Sequence, residues 1–179
     1  MSEPKKTESF AGNVMKYSIA TYLGFGISGA ALIIKGVLPA ESYAVPASFM
    51  AYTMSLMNGG MLGLDQSLLR FYHEPPAGST GRSMFAACTR LSVLVMLLVG
   101  GIGSIFFAKP LAAAFGLGAS GAGLVPFLFL NAALYLRVRY LNVLLRLENN
   151  VRAYTTETLW MQACLNLIYL LPGFVTQDA

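Results

Sequence analysis

Charged side chains are scarce in this sequence. Of its 179 residues, 11% are Asp, Glu, Lys or Arg and 56% are hydrophobic, and the mean hydropathy is +0.62. Soluble domains carry about 25% charged residues, so this chain has too few charges to cover the surface of a water-soluble globule of its size. The scarcity excludes a soluble enzyme, a nucleic-acid-binding domain and a disordered chain, and it favours an integral membrane protein.

Residues that bind metals, form disulfides or act in catalysis are also few. Two cysteines, Cys88 and Cys164, are far apart and have no metal-ligand spacing, and His73 is the single histidine. No pair of carboxylates lies within one apolar stretch. The sequence therefore predicts no disulfide framework, no metal site, no cofactor and no enzymatic activity.

What the sequence does contain is five long stretches without a charged residue. They are residues 17–34, 42–64, 91–108, 110–136 and 158–177. A transmembrane helix needs about 20 mostly apolar residues, so each stretch is long enough for one crossing. The sequence predicts an all-α polytopic membrane bundle over residues 17–175. The expected spans are at about 17–37, 43–69, 84–107, 122–145 and 154–174, with a polar tail at 1–16 and a C-terminal end at 176–179.

The distribution of cations predicts the orientation. With a cytoplasmic N-terminus, ten Lys and Arg residues lie inside, and only Lys35 and Lys109 lie outside. Loops rich in Lys and Arg stay in the cytoplasm, so we expect residues 1–16 to be a cytoplasmic tail. The formal charge of +4 then reflects topology and an affinity for anionic membrane lipid, and no nucleic-acid partner is expected.

Glycines recur at helical spacing in the first two spans, at Gly24, Gly26 and Gly29 and again at Gly59 and Gly63. Small residues let membrane helices approach closely. We expect these glycines to form packing surfaces. The first three match the spacing of a dinucleotide-binding loop, but that spacing has meaning only between a strand and a helix.

Charges at the ends of the spans are the candidate functional residues, because charge near hydrocarbon is costly and tends to be functional. Lys35 ends the first span, as an interfacial anchor or as part of a polar cavity. Asp65 lies at the inner end of the second span, five residues before Arg70. That spacing puts the two on different helix faces, so we expect Asp65 to pair with Arg90 or Arg137.

A basic, amphipathic extension follows the fourth span. Arg139, Asn142, Arg146 and Asn149 share one helix face by their spacing. We consider two roles for this face: a helix end that contacts headgroups, and a vestibule for an anionic, lipid-linked substrate. Arginine's forked donors suit phosphate.

The segment Gly63–Tyr72 (GLDQSLLRFY) resembles the inner end of the second span in polysaccharide and O-antigen flippases. These are transporters of the multidrug/oligosaccharidyl-lipid/polysaccharide exporter superfamily. The basic stretch Leu145–Asn149 (LRLEN), followed by Tyr154, resembles the end of their fourth span and the start of the fifth. The resemblance covers about Val14–Leu171.

The resemblance implies two six-helix bundles facing each other across a cleft in the bacterial inner membrane. It also implies that undecaprenyl-pyrophosphate-linked oligosaccharide is moved from the inner to the outer leaflet by alternating access, often with ion coupling. On this basis the expected substrate-binding residues, which would attract the pyrophosphate and gate by charge, are Lys35, Asp65, Arg70, Arg137 and Arg139.

The length departs from that family, because its members are much longer. We therefore expect this chain to be the N-terminal part of such a transporter, inactive alone and dependent on a second bundle or on a homo-oligomer. Two other functions stay open: a membrane scaffold or assembly subunit that does not transport, and a drug or cation antiporter of the same superfamily. A membrane-embedded enzyme would need clustered His, Asp or Glu residues, which the sequence lacks.

Overall fold

The computed structural model describes residues 10–36, 40–117 and 119–175. Most of the predicted N-terminal tail and the C-terminal end at 176–179 lie outside the described residues. The described helices are α1 (Phe10–Lys35), α2 (Ala40–Gly60), α3 (Leu64–Phe71), α4 (Gly81–Phe106), α5 (Ala108–Ala114), α6 (Val125–Leu147) and α7 (Val151–Val175). No strand occurs in the described ranges, which confirms the predicted all-α class.

Three segments are long and apolar enough to cross a membrane, judged over the described residues by length and composition. They are Val14–Ile34 within α1, the whole of α4, and Gly121–Leu147, which comprises α6 and part of the 3₁₀ turn before it. These helices indicate a membrane protein. The other two predicted spans are also helical, as α2 with α3 and as α7.

The predicted second span is broken near its inner end. Leu62 and Gly63 have positive φ angles of 53° and 70°, so the helix stops after Gly60 and restarts as α3 at Leu64. Gly63 adopts this conformation without steric cost because it has no Cβ. The break turns the GLDQSLLRFY segment into a separate short helix, with Asp65 in its first turn and Arg70 in its last.

The expected external loop at about 109–121 holds more structure than predicted. It contains the short helix α5 and a 3₁₀ turn at Ala119–Leu124. The Tyr52 hydroxyl of α2 donates to the Ala114 carbonyl at 3.2 Å. This bond satisfies a carbonyl that the end of α5 leaves without a helical partner.

Helix α6 lies at the centre of the bundle and contacts α2, α3, α4, α5 and α7. Its buried residues recur at helical spacing and dominate the core. They are Val125, Leu128, Phe129, Ala132, Ala133, Leu136, Tyr140 and Asn142. A helix that is apolar around most of its circumference is expected in the interior of a bundle.

Two pairs of contacts fix the direction of α4 relative to α6. Ser92 of α4 meets Tyr140 of α6, and Gly100, further along α4, faces Phe129, which is earlier in α6. The two helices are therefore antiparallel. Gly100 is buried, and a Cβ there would clash with the Phe129 side chain, so this glycine permits the close approach.

Other contacts give the directions of the remaining long helices. Helices α1 and α7 are parallel, because Tyr17 packs on Tyr154 and Ser28, further along α1, donates to Gln162. Helices α2 and α6 are also parallel. Asn131 donates to Thr53, and Tyr140, further along α6, donates to Met61, which follows the end of α2. Because α7 folds back antiparallel on α6, the five long helices alternate in direction along the chain. Five membrane crossings would require this alternation.

The glycines predicted to pack are mostly not the ones that do. Gly26, Gly29 and Gly59 face open space within the chain, and Gly24 makes only an ordinary contact with Gln162. Close packing occurs at Gly100, where the group Gly100, Gly101 and Gly103 predicts either a packing surface or a looser helix. It also occurs at Gly60, one residue beyond the predicted Gly59, where a Cβ would meet Met96 and Leu136.

Candidate anion-binding groove

A groove of about 520 Å³ runs between α4 and α6 on the outer surface of the bundle. Its lining is mainly apolar but contains two arginines and one threonine. The lining residues are Phe85, Ala86, Thr89, Arg90, Val93, Arg137, Val138 and Leu141. The residues from α4 form two series with helical spacing, at 85, 89 and 93 and at 86 and 90, which places them on one helix face.

The two arginines of the groove have no counter-charge. Arg90 and Arg137 are exposed, and within the part of the chain that the structure describes neither forms an ion pair with a carboxylate. Each borders a charge-free stretch, 91–108 and 110–136. They therefore lie where the charge-free parts of α4 and α6 end. Guanidinium groups bind phosphate through paired N–H donors.

Thr89 adds a further polar group to the groove. Its Oγ1 atom is shielded from solvent and makes no hydrogen bond to the described residues. A hydroxyl can donate as well as accept. The groove thus combines two cations, one unused hydroxyl and apolar walls, which suits an anionic headgroup attached to a hydrocarbon chain.

Asp65 does not pair with the arginines that we expected. It is half-buried in α3 and is close enough to interact electrostatically with Tyr140, but no ion pair joins it to Arg90 or Arg137 in the described residues. The break at Leu62 and Gly63 explains the difference, because it gives α3 its own direction instead of continuing α2.

Tyr140 holds that break in place. It is fully buried, donates its hydroxyl to the Met61 carbonyl at 3.1 Å and lies 2.8 Å from Ser92 Oγ. Since the Tyr140 proton goes to Met61, Ser92 is the donor in the second bond. One hydroxyl thus joins α4, α6 and the turn between α2 and α3.

Arg70 and Arg139, two of the other predicted site residues, lie outside the groove. Arg70 is exposed, with its guanidinium 5.3 Å from the centre of the Phe71 ring. Arg139 is exposed on α6, and its spacing from Arg137 places it on the opposite side of that helix. Lys35 is the last residue of α1, and its side chain lies outside the described residues. Of the four predicted residues whose side chains the structure describes, it therefore brings only Arg137 into the groove.

The polar face predicted as a vestibule is turned towards other helices. Arg146 donates to the Tyr154 hydroxyl of α7 and lies over its ring. The Tyr17 hydroxyl of α1 donates to Asn149 Oδ1 at 3.3 Å. Asn142 is buried. Part of this face thus forms a polar contact among α1, α6 and α7, while Arg139, Arg146 and Asn149 stay exposed.

A polar cluster joins the two loops at the expected cytoplasmic end. Glu148 Oε1 accepts from the Tyr72 hydroxyl at 2.9 Å and from Arg82 Nε at 3.0 Å, and Arg82 Nη2 lies 3.0 Å from the same oxygen. The hydrogen bond from Tyr72, then that from Arg82, lowers the pKa of the Glu148 carboxyl below its ordinary value. The cluster links the loop before α4 to the end of α6.

Sequence reasoning gave Arg90 only the role of a partner for Asp65, and it overlooked Thr89 and Glu157. The position of Arg90, at the end of a charge-free stretch like that of Arg137, was the available signal.

No group of three or more His, Cys, Asp or Glu side chains suited to a metal occurs among the described residues. In comparisons with known proteins, no family model, no curated protein and no solved structure matches the chain.

Proposed function

We propose that this chain is part of a membrane transporter that binds a phosphate-bearing lipid and moves it between leaflets of the bacterial inner membrane. The proposed substrate is undecaprenyl-pyrophosphate-linked oligosaccharide, used in polysaccharide or O-antigen synthesis. The N-terminus is cytoplasmic in this proposal, so the headgroup enters from the inner leaflet.

The observation that carries the proposal is the groove between α4 and α6. Arg90 and Arg137 supply two positive charges that have no ion-pair partner among the described residues, each beside a charge-free stretch. A pyrophosphate is dianionic or more at neutral pH and matches two guanidinium groups. The apolar lining residues of the same groove, such as Val93 and Leu141, suit the start of a polyprenyl chain.

The resemblance of Gly63–Tyr72 to flippases gives the proposal its direction of transport. In this chain that segment forms the turn and α3, which Tyr140 ties to α4 and α6. The segment thus lies beside the two helices that form the groove. This proximity supports a shared role without depending on an ion pair of Asp65.

Binding can be tested with the purified chain in detergent, by counting bound lipid with native mass spectrometry. Undecaprenyl pyrophosphate and uncharged undecaprenol are the probes. We expect the pyrophosphate to bind more tightly, and Arg90→Gln and Arg137→Gln each to weaken its binding about tenfold, as the loss of a charge-assisted hydrogen bond implies. Undecaprenol binding should not change.

Arg152→Gln is the matched control. Arg152 is exposed at the start of α7 and is not part of the groove, so the control removes the same charge elsewhere. If Arg152→Gln weakens binding as much as the groove variants, the attraction is only a general effect of charge. If undecaprenol binds as tightly as the pyrophosphate, the groove does not recognise phosphate.

Translocation needs a separate measurement. The chain is reconstituted into vesicles with a fluorescent undecaprenyl-pyrophosphate glycolipid, and a membrane-impermeant quencher reports the fraction in the outer leaflet. Because the chain is expected to be inactive alone, we expect faster exchange than in protein-free vesicles only when it forms a homo-oligomer or is reconstituted with a chain that supplies the second bundle, and slower exchange for the double variant Arg90→Gln/Arg137→Gln. Binding without translocation would instead favour a scaffold or assembly subunit.

A further inference from the structure

Glu157 is an acidic residue in a helix that is otherwise apolar. It lies in the second turn of α7 and directly precedes the charge-free stretch 158–177. Helices α6 and α7 form an antiparallel hairpin, in which Arg146 meets Tyr154. One turn further from the connecting loop, the Glu157 side chain interacts with Asn142 of α6.

Both side chains of this pair have an oxygen without a donor. Glu157 Oε2 and Asn142 Oδ1 are shielded from solvent, and neither accepts a hydrogen bond from the described residues. Asn142 as a whole is 6% exposed. Buried polar groups are nearly always hydrogen-bonded, and an unpaired buried carboxylate is especially costly. Two unsatisfied acceptors in one helix contact therefore need a hydrogen that an ionised glutamate does not supply.

One added proton satisfies both oxygens. A protonated carboxyl has an O–H donor, whereas the ionised form has only acceptors, and a primary amide has both an acceptor and two donors. A carboxylic acid and an amide can therefore form two hydrogen bonds, O–H to the amide oxygen and N–H to the acid carbonyl. We propose that Glu157 and Asn142 form a proton-binding site between α6 and α7, in which Glu157 is a neutral acid that donates to Asn142 Oδ1.

Other charged and titratable groups lie on α7 and on the helices that contact it. On α6 they are Arg139 and Arg146, on α7 Arg152 and Tyr154, on α1 Lys16 and Tyr17, and on α2 Tyr52. Arg146 is bonded to Tyr154, Tyr17 to Asn149, and Tyr52 to the Ala114 carbonyl. Arg146, Tyr17 and Tyr52 therefore have partners other than Glu157 and Asn142.

The site has a consequence for the hairpin. When the proton leaves, Glu157 Oε2 and Asn142 Oδ1 again have no donor, and the contact between α6 and α7 becomes less favourable. Helix α7 also packs on α1, so the loss loosens two helix contacts at once. This behaviour does not depend on the proposed substrate, because Glu157 and Asn142 are not part of the groove.

Infrared spectroscopy of the purified chain in lipid nanodiscs tests the protonation state directly. We expect a carboxylic-acid carbonyl band at neutral pH that shifts in heavy water and disappears in Glu157→Gln. Asn142→Leu should move the band to higher frequency, because the acid loses its acceptor. Glu148→Gln is the matched control, since Glu148 is hydrogen-bonded to Arg82 and ionised, and it should leave the band unchanged. Absence of the band at neutral pH, or its persistence in Glu157→Gln, overturns the proposal.

Thermal unfolding gives a second readout. Glutamine is similar in shape to a protonated glutamate, so the unfolding temperature of Glu157→Gln should be at least that of the unmodified chain. It should also fall less as the pH rises. If Glu157→Gln and Glu157→Ala lower the unfolding temperature equally at neutral pH, the proposed hydrogen bonds do not contribute and the proposal is wrong. Stabilisation of the unmodified chain by sodium at alkaline pH, absent in Glu157→Gln, would show that an ionised Glu157 binds a metal cation, and would also overturn the proposal.

Discussion

Helices α1 and α6 have similarly apolar sequences but different places in the bundle. In α6, Leu128, Ala132 and Leu136 are fully buried, whereas in α1 Tyr22 is 72% and Phe25 is 68% exposed. Hydropathy alone does not distinguish them, because both contain a segment long and apolar enough to cross a membrane. In a bilayer, lipid is as apolar as leucine, so burial between helices depends on close packing and on polar contacts.

The local features of the two helices agree with that difference. Gly100 and Gly60 let α4 and α2 approach α6 closely, and the Tyr140 hydroxyl makes two buried bonds. In α1, Gly26 and Gly29 meet nothing. The same substitution made beside α6 and in α1 should therefore have unequal effects.

The largest expected difference is between Gly100→Val and Gly26→Val. A side chain at Gly100 would clash with Phe129, whereas Gly26 has open space. Overpacking costs typically 1–3 kcal/mol, so we expect Gly100→Val to lower the free energy of unfolding by about 3 kcal/mol and Gly26→Val to change it little. Thermal unfolding in detergent measures both. Equal losses would mean that α1 is packed as tightly as α6.

The comparison also shows what the sequence could predict. The absence of charge over about 20 residues predicted all five long helices, because hydrocarbon excludes charge from any segment that crosses it. It did not predict the break at Leu62 and Gly63, since neither proline nor a charge marks that turn. A positive φ at Leu62 depends on support from Tyr140, which is distant in sequence.

The candidate groove was predictable only in part. Arg137 was expected to attract the pyrophosphate because of the resemblance to flippases, and Arg90 was expected only as a partner for Asp65, although each borders a charge-free stretch. That the two line one groove depends on the register of α4 against α6, which Gly100 and Phe129 set. Helical spacing predicted that Asn142 shares one face of α6 with other polar residues. It could not predict whether Asn142 contacts water or α7.

A smaller difference is expected between Tyr140→Phe and Tyr22→Phe. Tyr140→Phe leaves the Met61 carbonyl and the Ser92 hydroxyl without their buried partner, which costs about 1–2 kcal/mol. Tyr22 is largely exposed, so its hydroxyl should matter little. Chemical denaturation in mixed micelles compares the two.

Adding Ser92→Ala to Tyr140→Phe should cost less than Ser92→Ala alone, because the pair already has no bond to lose. If the losses of unfolding free energy in the two single variants add up to the loss in the double variant, the Ser92–Tyr140 bond does not contribute to stability.

The smallest expected difference is between Glu148→Gln, at the end of α6, and Glu74→Gln, in the exposed loop before α4. Glu148 accepts from Tyr72 and Arg82, and these bonds lower the pKa of its carboxyl. A carboxyl whose folded pKa is lowered stabilises the protein above its unfolded pKa and loses that effect as the pH falls through the folded pKa. The unmodified chain should thus lose stability below the ordinary range of glutamate, and Glu148→Gln should lose less.

Surface ion pairs are weak and are screened by salt, so the Glu148 effect should be measurable mainly at low ionic strength. Glu74→Gln is the matched control because Glu74 is exposed, and it should leave the acid dependence of the midpoint unchanged. Tyr72→Phe should reproduce part of the effect of Glu148→Gln, since Tyr72 supplies the first of the two bonds. If the acid dependence persists in Glu148→Gln, the contact between the loop before α4 and the end of α6 does not hold that end of α6, and its position rests on its other helix contacts.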